Sequence, residues 1–331
     1  MADMRHGGNV WEGKAPSRWL DFSANLRPEG PPEWVMQTMR EALADIRYYP
    51  DRTLGDARRG LAAYLDVPER CVLPTAGGAA AIDLILSCQK GVVYVPPVTF
   101  GEYAERAAVH GRTVRTWLDT CGPGDTVMLC NPNNPTGRGL PCEEILQTHL
   151  HIARMGGELI VDEAFIDFCP TYSVREHITP GLSVVGSLTK TLCIPGVRLG
   201  YVCAVPEVIK ALERRALPWS LNTLAVAAAA ALAQHKDDMA ADRTANQARR
   251  AQLTRLLEAL GAEVFPSQSN FLLVHFQQDM TQAAAQLKAQ GILVRTCASF
   301  GLGPSYWRLA VKTPEENQRL IRHLEAILHA R

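Results

Sequence analysis

The sequence predicts an α/β fold: a mainly parallel central sheet with helices on both faces, followed by a small α+β C-terminal part. Three observations predict it. Short, nearly all-apolar runs recur between residues 92 and 204, with helical segments separating most of them. Strands covered on both faces read as continuous apolar runs, and their alternation with helices signals parallel crossovers. Beyond residue 236 the pattern changes to long helices and a few strands, and 331 residues suit one large and one small core better than a single core.

The elements follow in order. Residues 1–30 are rich in Gly, Pro and polar groups and read as an extended arm. Pro31 and Pro32 open a helix expected to run to residue 47, and a second helix spans 54–64. After the glycine turn at 77–78, a helix over 79–88 leads to the apolar run 92–95. Further strand-like runs lie at 113–117, 126–130, 158–161, 183–185 and 199–204, with helices at 102–110 and 141–155. Two long helices, 222–235 and 240–260, come next. The tail offers strands at 263–265 and 271–276, a helix at 281–290, strands at 292–295 and 307–311, and a final helix from Pro314. The expected division is an arm (1–30) packing across both parts, a large part (31–236) and a small part (237–331).

Composition excludes some functions. Apolar residues make up 47% and charged residues 21%, with formal net charge +0, so no basic footprint for nucleic acid is present. Nine cysteines are scattered without a C-x-x-C pair or metal-ligand spacing, which reads as reduced thiols in a cytosolic protein with no metal site. The first thirteen residues are polar and lack the apolar core of a signal peptide. The alanine-rich stretch 224–233 is far short of the ~20 residues that cross a membrane. A cytoplasmic protein without membrane or nucleic-acid partners is expected.

Four local patterns carry chemistry. Ser187-Leu188-Thr189-Lys190 follows a strand-like run. A lysine there, desolvated, is an amine nucleophile toward an aldehyde. Ser187 and Arg198 flank it and supply phosphate donors. A surface lysine is the commoner fate, and S-x-x-K also marks β-lactamase-type serine enzymes. Asp162 ends the run GELIVD, where a carboxylate can reach a ring nitrogen and keep it protonated, or merely cap the next helix. Asn131 to Gly137 form a rigid NPNNPTG turn that presents the Asn134 amide, unless it only connects two elements. Gly77-Gly78-Ala79 precede a helix, whose first amides bind anions.

Glycine turn, NPNNPTG, DEAF, SLTK and PGVRLGY occur in that order, and this combination resembles the class I/II aminotransferases, close to the histidinol-phosphate aminotransferases. The resemblance covers nearly the whole chain. It implies the fold-type I pyridoxal 5'-phosphate (PLP) fold, a homodimer, and PLP held on Lys190 as a Schiff base. It further implies that Asp162 pairs with the ring nitrogen and Asn134 with the ring 3'-oxygen. The amides of Gly78 and Ala79, with Ser187 and Arg198, would hold the cofactor phosphate. Phe100 would stack on the ring, with Tyr103 the other candidate. Tyr49 would reach the cofactor phosphate of a neighbouring subunit, and Arg308 would grip an acidic group of the substrate.

Finer features resemble the threonine-phosphate decarboxylases of cobalamin biosynthesis: HGGN at 6–9, DFSAN at 21–25, DEAFIDF at 162–168, PWSLN at 218–222 and RTCA at 295–298. Phe165 stands where many aminotransferases carry a tyrosine, and phenylalanine donates no hydrogen bond. A small phosphorylated amino acid is the implied substrate, with His6, Asn25, Arg295 and Arg308 as its donors. Serine phosphate is a second candidate beside threonine phosphate. Histidinol-phosphate aminotransferase and a PLP-fold regulatory protein without turnover are the alternatives. Ala79 and Ala80 offer no side-chain donors to the cofactor phosphate, so weakened PLP retention is expected.

Overall fold

The computed structural model describes residues 6–13, 15–116 and 120–329. Residues 1–5 and 14 of the expected arm, residues 117–119 (which include the end of the expected strand 113–117) and the last two residues lie outside it. In chain order the elements begin with β1 (Leu20–Asp21), α1 (Glu33–Ala42), α2 (Gly55–Leu65), β2 (Val72–Thr75), α3 (Gly78–Leu86), β3 (Val93–Val95), α4 (Glu102–Val109) and β4 (Val114–Thr116). They continue with β5 (Thr126–Cys130), α5 (Cys142–Arg154), β6 (Glu158–Asp162), β7 (Leu182–Ser187), β8 (Gly200–Cys203), α6 (Pro206–Glu213) and α7 (Thr223–Ala231). The tail holds α8 (Lys236–Ala259), β9 (Glu263–Val264), β10 (Phe271–His275), α9 (Thr281–Ala289), β11 (Ile292–Leu293), β12 (Arg295–Thr296), β13 (Tyr306–Ala310) and α10 (Pro314–His329).

The large sheet has the order β2-β8-β7-β6-β5-β3-β4. Only β8 runs against its neighbours; the other pairings are parallel. Its all-apolar strands are explained by two covered faces. Val127, Leu159, Val161, Val184 and Cys203 face a core shared with α2, α5 and α7. The alternate residues Met128, Ile160, Val185 and Val202 face a second core with α3, α4 and α6. Side chains alternate across a strand, so each face receives every second residue.

A four-stranded antiparallel sheet, β12-β13-β10-β9, forms in the tail. A third core gathers Leu272, Val274, Trp307 and Leu309 against α8, α9 and α10. The cut expected near residue 236 falls at the first residue of α8. That helix serves two cores, with Met239 in the first and Leu253 and Leu257 in the third.

The structure corrects several element boundaries. The arm contains a strand: β1 pairs in parallel with β11, and buried Phe22 accepts a hydrogen bond from Ala310 N–H at 2.9 Å. Leu20 and Phe22 point into the third core while Asp21 turns out, a period-2 pattern too short to read in the sequence. The helix expected over 31–47 stops at Ala42 and tightens into a 3-10 turn, Leu43–Asp45. The helix expected over 222–235 ends at Ala231 in the same way, and the one expected from 240 begins at Lys236. The strand expected over 292–295 is split. Ile292 and Leu293 pair with the arm, whereas Arg295 and Thr296 join β13. Strand β2 and helix α6 were not expected from the sequence. β2 carries Pro74 and lies at the sheet edge, the place where a missing N–H is tolerated.

Candidate active site

The parallel strands deliver their carboxyl ends to one rim, and a cavity of about 420 Å³ lies there against the β12–β13 pair. Each strand end brings a specific side chain. Lys190 sits on the turn after β7, half-buried, with both sequence neighbours tied down. Thr189 shares a 2.8 Å hydrogen bond with Ser187, and Thr191 donates to Asp167 at 2.7 Å. Burial disfavours the Lys190 ammonium, and Arg308 and Arg198 repel it, so its pKa falls from 10.5 to about 8.

Asp162 ends β6, directly opposite Cys130 of β5, and is buried. Burial raises its carboxyl above the usual range. Two donors work in the opposite direction: the Tyr103 hydroxyl at 2.6 Å and the Ala164 N–H at 2.9 Å. Tyr103 was a candidate for stacking on the cofactor ring. It is instead wholly buried against Asp162, and Phe100 alone of the two lines the cavity. Tyr103 follows Phe100 by three residues, across the turn that opens α4, where its N–H donates to Phe100 O at 3.4 Å.

The NPNNPTG turn divides its work. Asn131 bonds the backbone at Leu140 and Tyr172, and Asn133 bonds Val98 O and Thr99. These contacts lock the loop. Asn134, on the loop so fixed, lines the cavity. The peptide bonds before Pro132 and Pro135 are cis.

The glycine turn packs on Arg198. Gly77 has φ +89, and a Cβ there would lie 2.8 Å from the guanidinium, so only glycine admits this approach. Gly78 and Ala79 open α3, whose first amides have no intrahelical acceptor, and Ser187 lies against Gly78. Gly78, Ala79, Ser187 and Arg198 therefore share one corner of the cavity.

The opposite wall is cationic. Arg295 and Arg308 are direct cross-strand partners on β12 and β13. Arg295 donates to Ser299 Oγ at 2.6 Å. Arg308 donates to Asn134 Oδ1 and to Ser23 O, both at 2.7 Å. Both guanidiniums lie over the Phe300 ring, at 5.3 and 5.9 Å. Burial, and then repulsion from Arg295, lower the Arg308 pKa to about 10. The arm closes this wall. Asp21 accepts from Ser23 N–H and Oγ–H and from Ala24 N–H, a turn that carries Asn25 into the cavity. His6 also lines the cavity and pairs with Glu102 at 2.9 Å. Sequence reasoning missed Ser23, Ser299 and Phe300, whose parts are backbone, hydroxyl and ring contacts without a motif.

Phe165 lines the cavity too, edge-on to Phe271 at 5.0 Å. Tyr49 does not reach the cavity of its own chain. It is 79% exposed and packs on Trp219 at 4.7 Å.

The residues present fit PLP. An amine of lowered pKa suits its aldehyde, four phosphate donors share a corner, and a buried carboxylate suits a ring N–H. Among the described residues, the buried Asn25 Oδ1 and Arg308 Nε have no hydrogen-bond partner, which marks polar capacity left for a ligand. No helix of the described residues is long and apolar enough to cross a membrane.

Known proteins resemble the chain over nearly its whole length. The family model for aminotransferase class I and II matches residues 17–324. A threonine-phosphate decarboxylase of Salmonella typhimurium is 32% identical, over 98% of this chain and 96% of its own. A histidinol-phosphate aminotransferase of Desulfitobacterium hafniense is also 32% identical, over 96% and 94%. The crystal structure of an L-threonine-O-3-phosphate decarboxylase from Porphyromonas gingivalis superposes with a TM-score of 0.83 at 27% identity, covering 93% of this chain and 99% of that one.

Proposed function

The chain belongs to the class I and II aminotransferases, with PLP as its cofactor, and from that premise we propose that it decarboxylates L-threonine O-3-phosphate to (R)-1-amino-2-propanol O-2-phosphate, a step of cobalamin biosynthesis. The observation that carries the proposal is the donor set facing the cofactor corner. Paired Arg295 and Arg308 share one cavity with His6 and Asn25 of the arm. A substrate with both a phosphate and a carboxylate needs two anion grips, and two arginines side by side supply them.

In this proposal Lys190, Asp162, Asn134, Ser187, Arg198, Phe100 and the Gly78 and Ala79 amides hold PLP. Bound PLP supplies the electron sink for the pair left on Cα when CO2 departs. The rest is done by the chain. The arginines fix the substrate so that the bond to its carboxylate is the one that breaks. The arm covers the cavity and limits water. Lys190, with a pKa of about 8, can hold a proton near neutral pH and deliver it to Cα. The net change is loss of CO2 and gain of one proton at Cα.

The test is product analysis. Purified enzyme with threonine phosphate should release CO2 and aminopropanol phosphate in equal amounts. Keto-acid formation without CO2 would overturn the proposal. A second reading is favoured by the equally similar histidinol-phosphate aminotransferase. Rapid glutamate formation from histidinol phosphate and 2-oxoglutarate would establish it instead. Parallel rates on serine phosphate would define how much the threonine methyl contributes.

A further inference from the structure

We propose that Tyr103 is a positioning residue of the cofactor site, holding the Asp162 carboxylate in its orientation toward the cavity through the hydrogen bond from its hydroxyl. The inference rests on Asp162 serving the cofactor ring, as proposed above. Tyr103 lies in the first turn of α4 and is wholly buried. Its hydroxyl is 2.6 Å from Asp162 Oδ2. Asp162 Oδ1 is held separately by the Ala164 N–H at 2.9 Å. Each oxygen thus has one fixed donor, and rotation of the carboxyl group would break both bonds.

The direction of donation follows from the surroundings. Burial, the charge of Asp162 and contact with the Cys130 thiol all keep the tyrosine proton on its oxygen. The Ala164 amide can only donate. Two donors on one carboxyl favour its ionised form, which burial otherwise disfavours. Tyr103 also stands edge-on to Phe100, with ring centroids 5.6 Å apart at 84°. One turn of α4 and its approach therefore set the cavity-lining ring and the carboxylate together. No other described side chain donates to Asp162.

Y103F, D162N and the double variant test this in the holoenzyme, with PLP dissociation constant, absorption spectrum, kcat and KM as readouts. Y103F is expected to weaken PLP binding about ten-fold and lower kcat about ten-fold, the scale of one hydrogen bond to a charged acceptor, with KM changed less than about two-fold. In the D162N background, Y103F should have no further effect, because its partner is already altered. If D162N is impaired while Y103F matches wild type in PLP affinity and spectrum, Tyr103 has no such role. Additive losses in the double variant would equally overturn it, since the two residues would then act separately. An unimpaired D162N would sink the assignment of Asp162 itself, and Tyr103 with it. Should Y103F fail to fold, 3-fluorotyrosine at position 103 keeps the ring shape and changes only the hydroxyl's acidity. A shifted absorption maximum is expected; an unchanged spectrum and PLP affinity would overturn the inference.

Discussion

At the scale of single residues, Lys190 shows why environment decides function. Its side chain is ordinary, but burial and two nearby guanidiniums bring its pKa from 10.5 to about 8. The neutral amine is the nucleophile, so it predominates above that pH. Apoenzyme should therefore capture PLP faster as pH rises, with the rate levelling off above about 8. Stopped-flow absorbance would follow this, and a rate still climbing toward pH 10 would mean an unshifted lysine. K190A should abolish the cofactor band altogether. The paired arginines make a second prediction. R295Q removes a donor from one anion grip and should raise KM for the phosphorylated substrate about ten- to hundred-fold, with PLP affinity kept. R308K loses the fork that bonds Asn134 and Ser23, so it should disturb the cofactor spectrum as well as KM. Steady-state kinetics and spectra of the two variants separate these effects. Equal spectra for both would show that Arg308 does not act through Asn134.

At the scale of elements, tight approaches hold the scaffold on which the site stands. Helix α2 meets α7 at Gly60, where an added Cβ would overlap Ala229 O and lie 2.6 Å from Ala230 Cα. G60A should cost about 1–3 kcal/mol and lower Tm by a few degrees, because neither backbone can retreat without repacking. PLP affinity should be unchanged, since neither helix lines the cavity. Calorimetry and a PLP titration check both halves. Most strands and helices of the large sheet were legible in the sequence because burial on both faces writes long apolar runs; the four-residue edge strand β2, interrupted by Pro74, and helix α6 were not. The motif residues were legible because chemistry fixes their types: Lys190, Asp162, Asn134 and Arg198 all reached the cavity. What was illegible has one physical cause, the small size of the signal. β1 and β11 are two residues each, and they form only because Leu20 and Asp21 pair with Ile292 and Leu293, far along the chain. The 292–295 run could not announce that its first half serves a core and its second half the site. Tyr103 read as an aromatic face, whereas its hydroxyl is the part that meets Asp162.

At the scale of the whole molecule, a chain of net charge +0 gathers Lys190, Arg198, Arg295 and Arg308 around one cavity. Net charge reports solubility and long-range fields, and says little about a pocket. We propose that residues 31–236 and 237–331 form the two parts that meet at this cavity, with the arm bridging them. Arg308 already ties the three together, donating to Asn134 of the first and to Ser23 of the arm. Tyr49 points to a further level. It is 79% exposed, beside Trp219, which is itself 46% exposed, and it lies outside its own chain's cavity. We propose that this exposed aromatic pair lies on the contact surface of a homodimer in which Tyr49 serves the partner's cofactor. Hybrid dimers test this directly. One subunit carries Y49A and keeps Lys190; the other carries K190A and keeps Tyr49. Each homodimer should be impaired, the first in PLP retention and the second completely. If Tyr49 acts across the interface, the hybrid purified through two different tags has one intact site, built from Lys190 of one subunit and Tyr49 of the other. Its activity should be about half that of the wild-type dimer, since two-fold symmetry provides two sites and one is restored. If Tyr49 serves its own subunit, both sites of the hybrid are defective and mixing restores nothing.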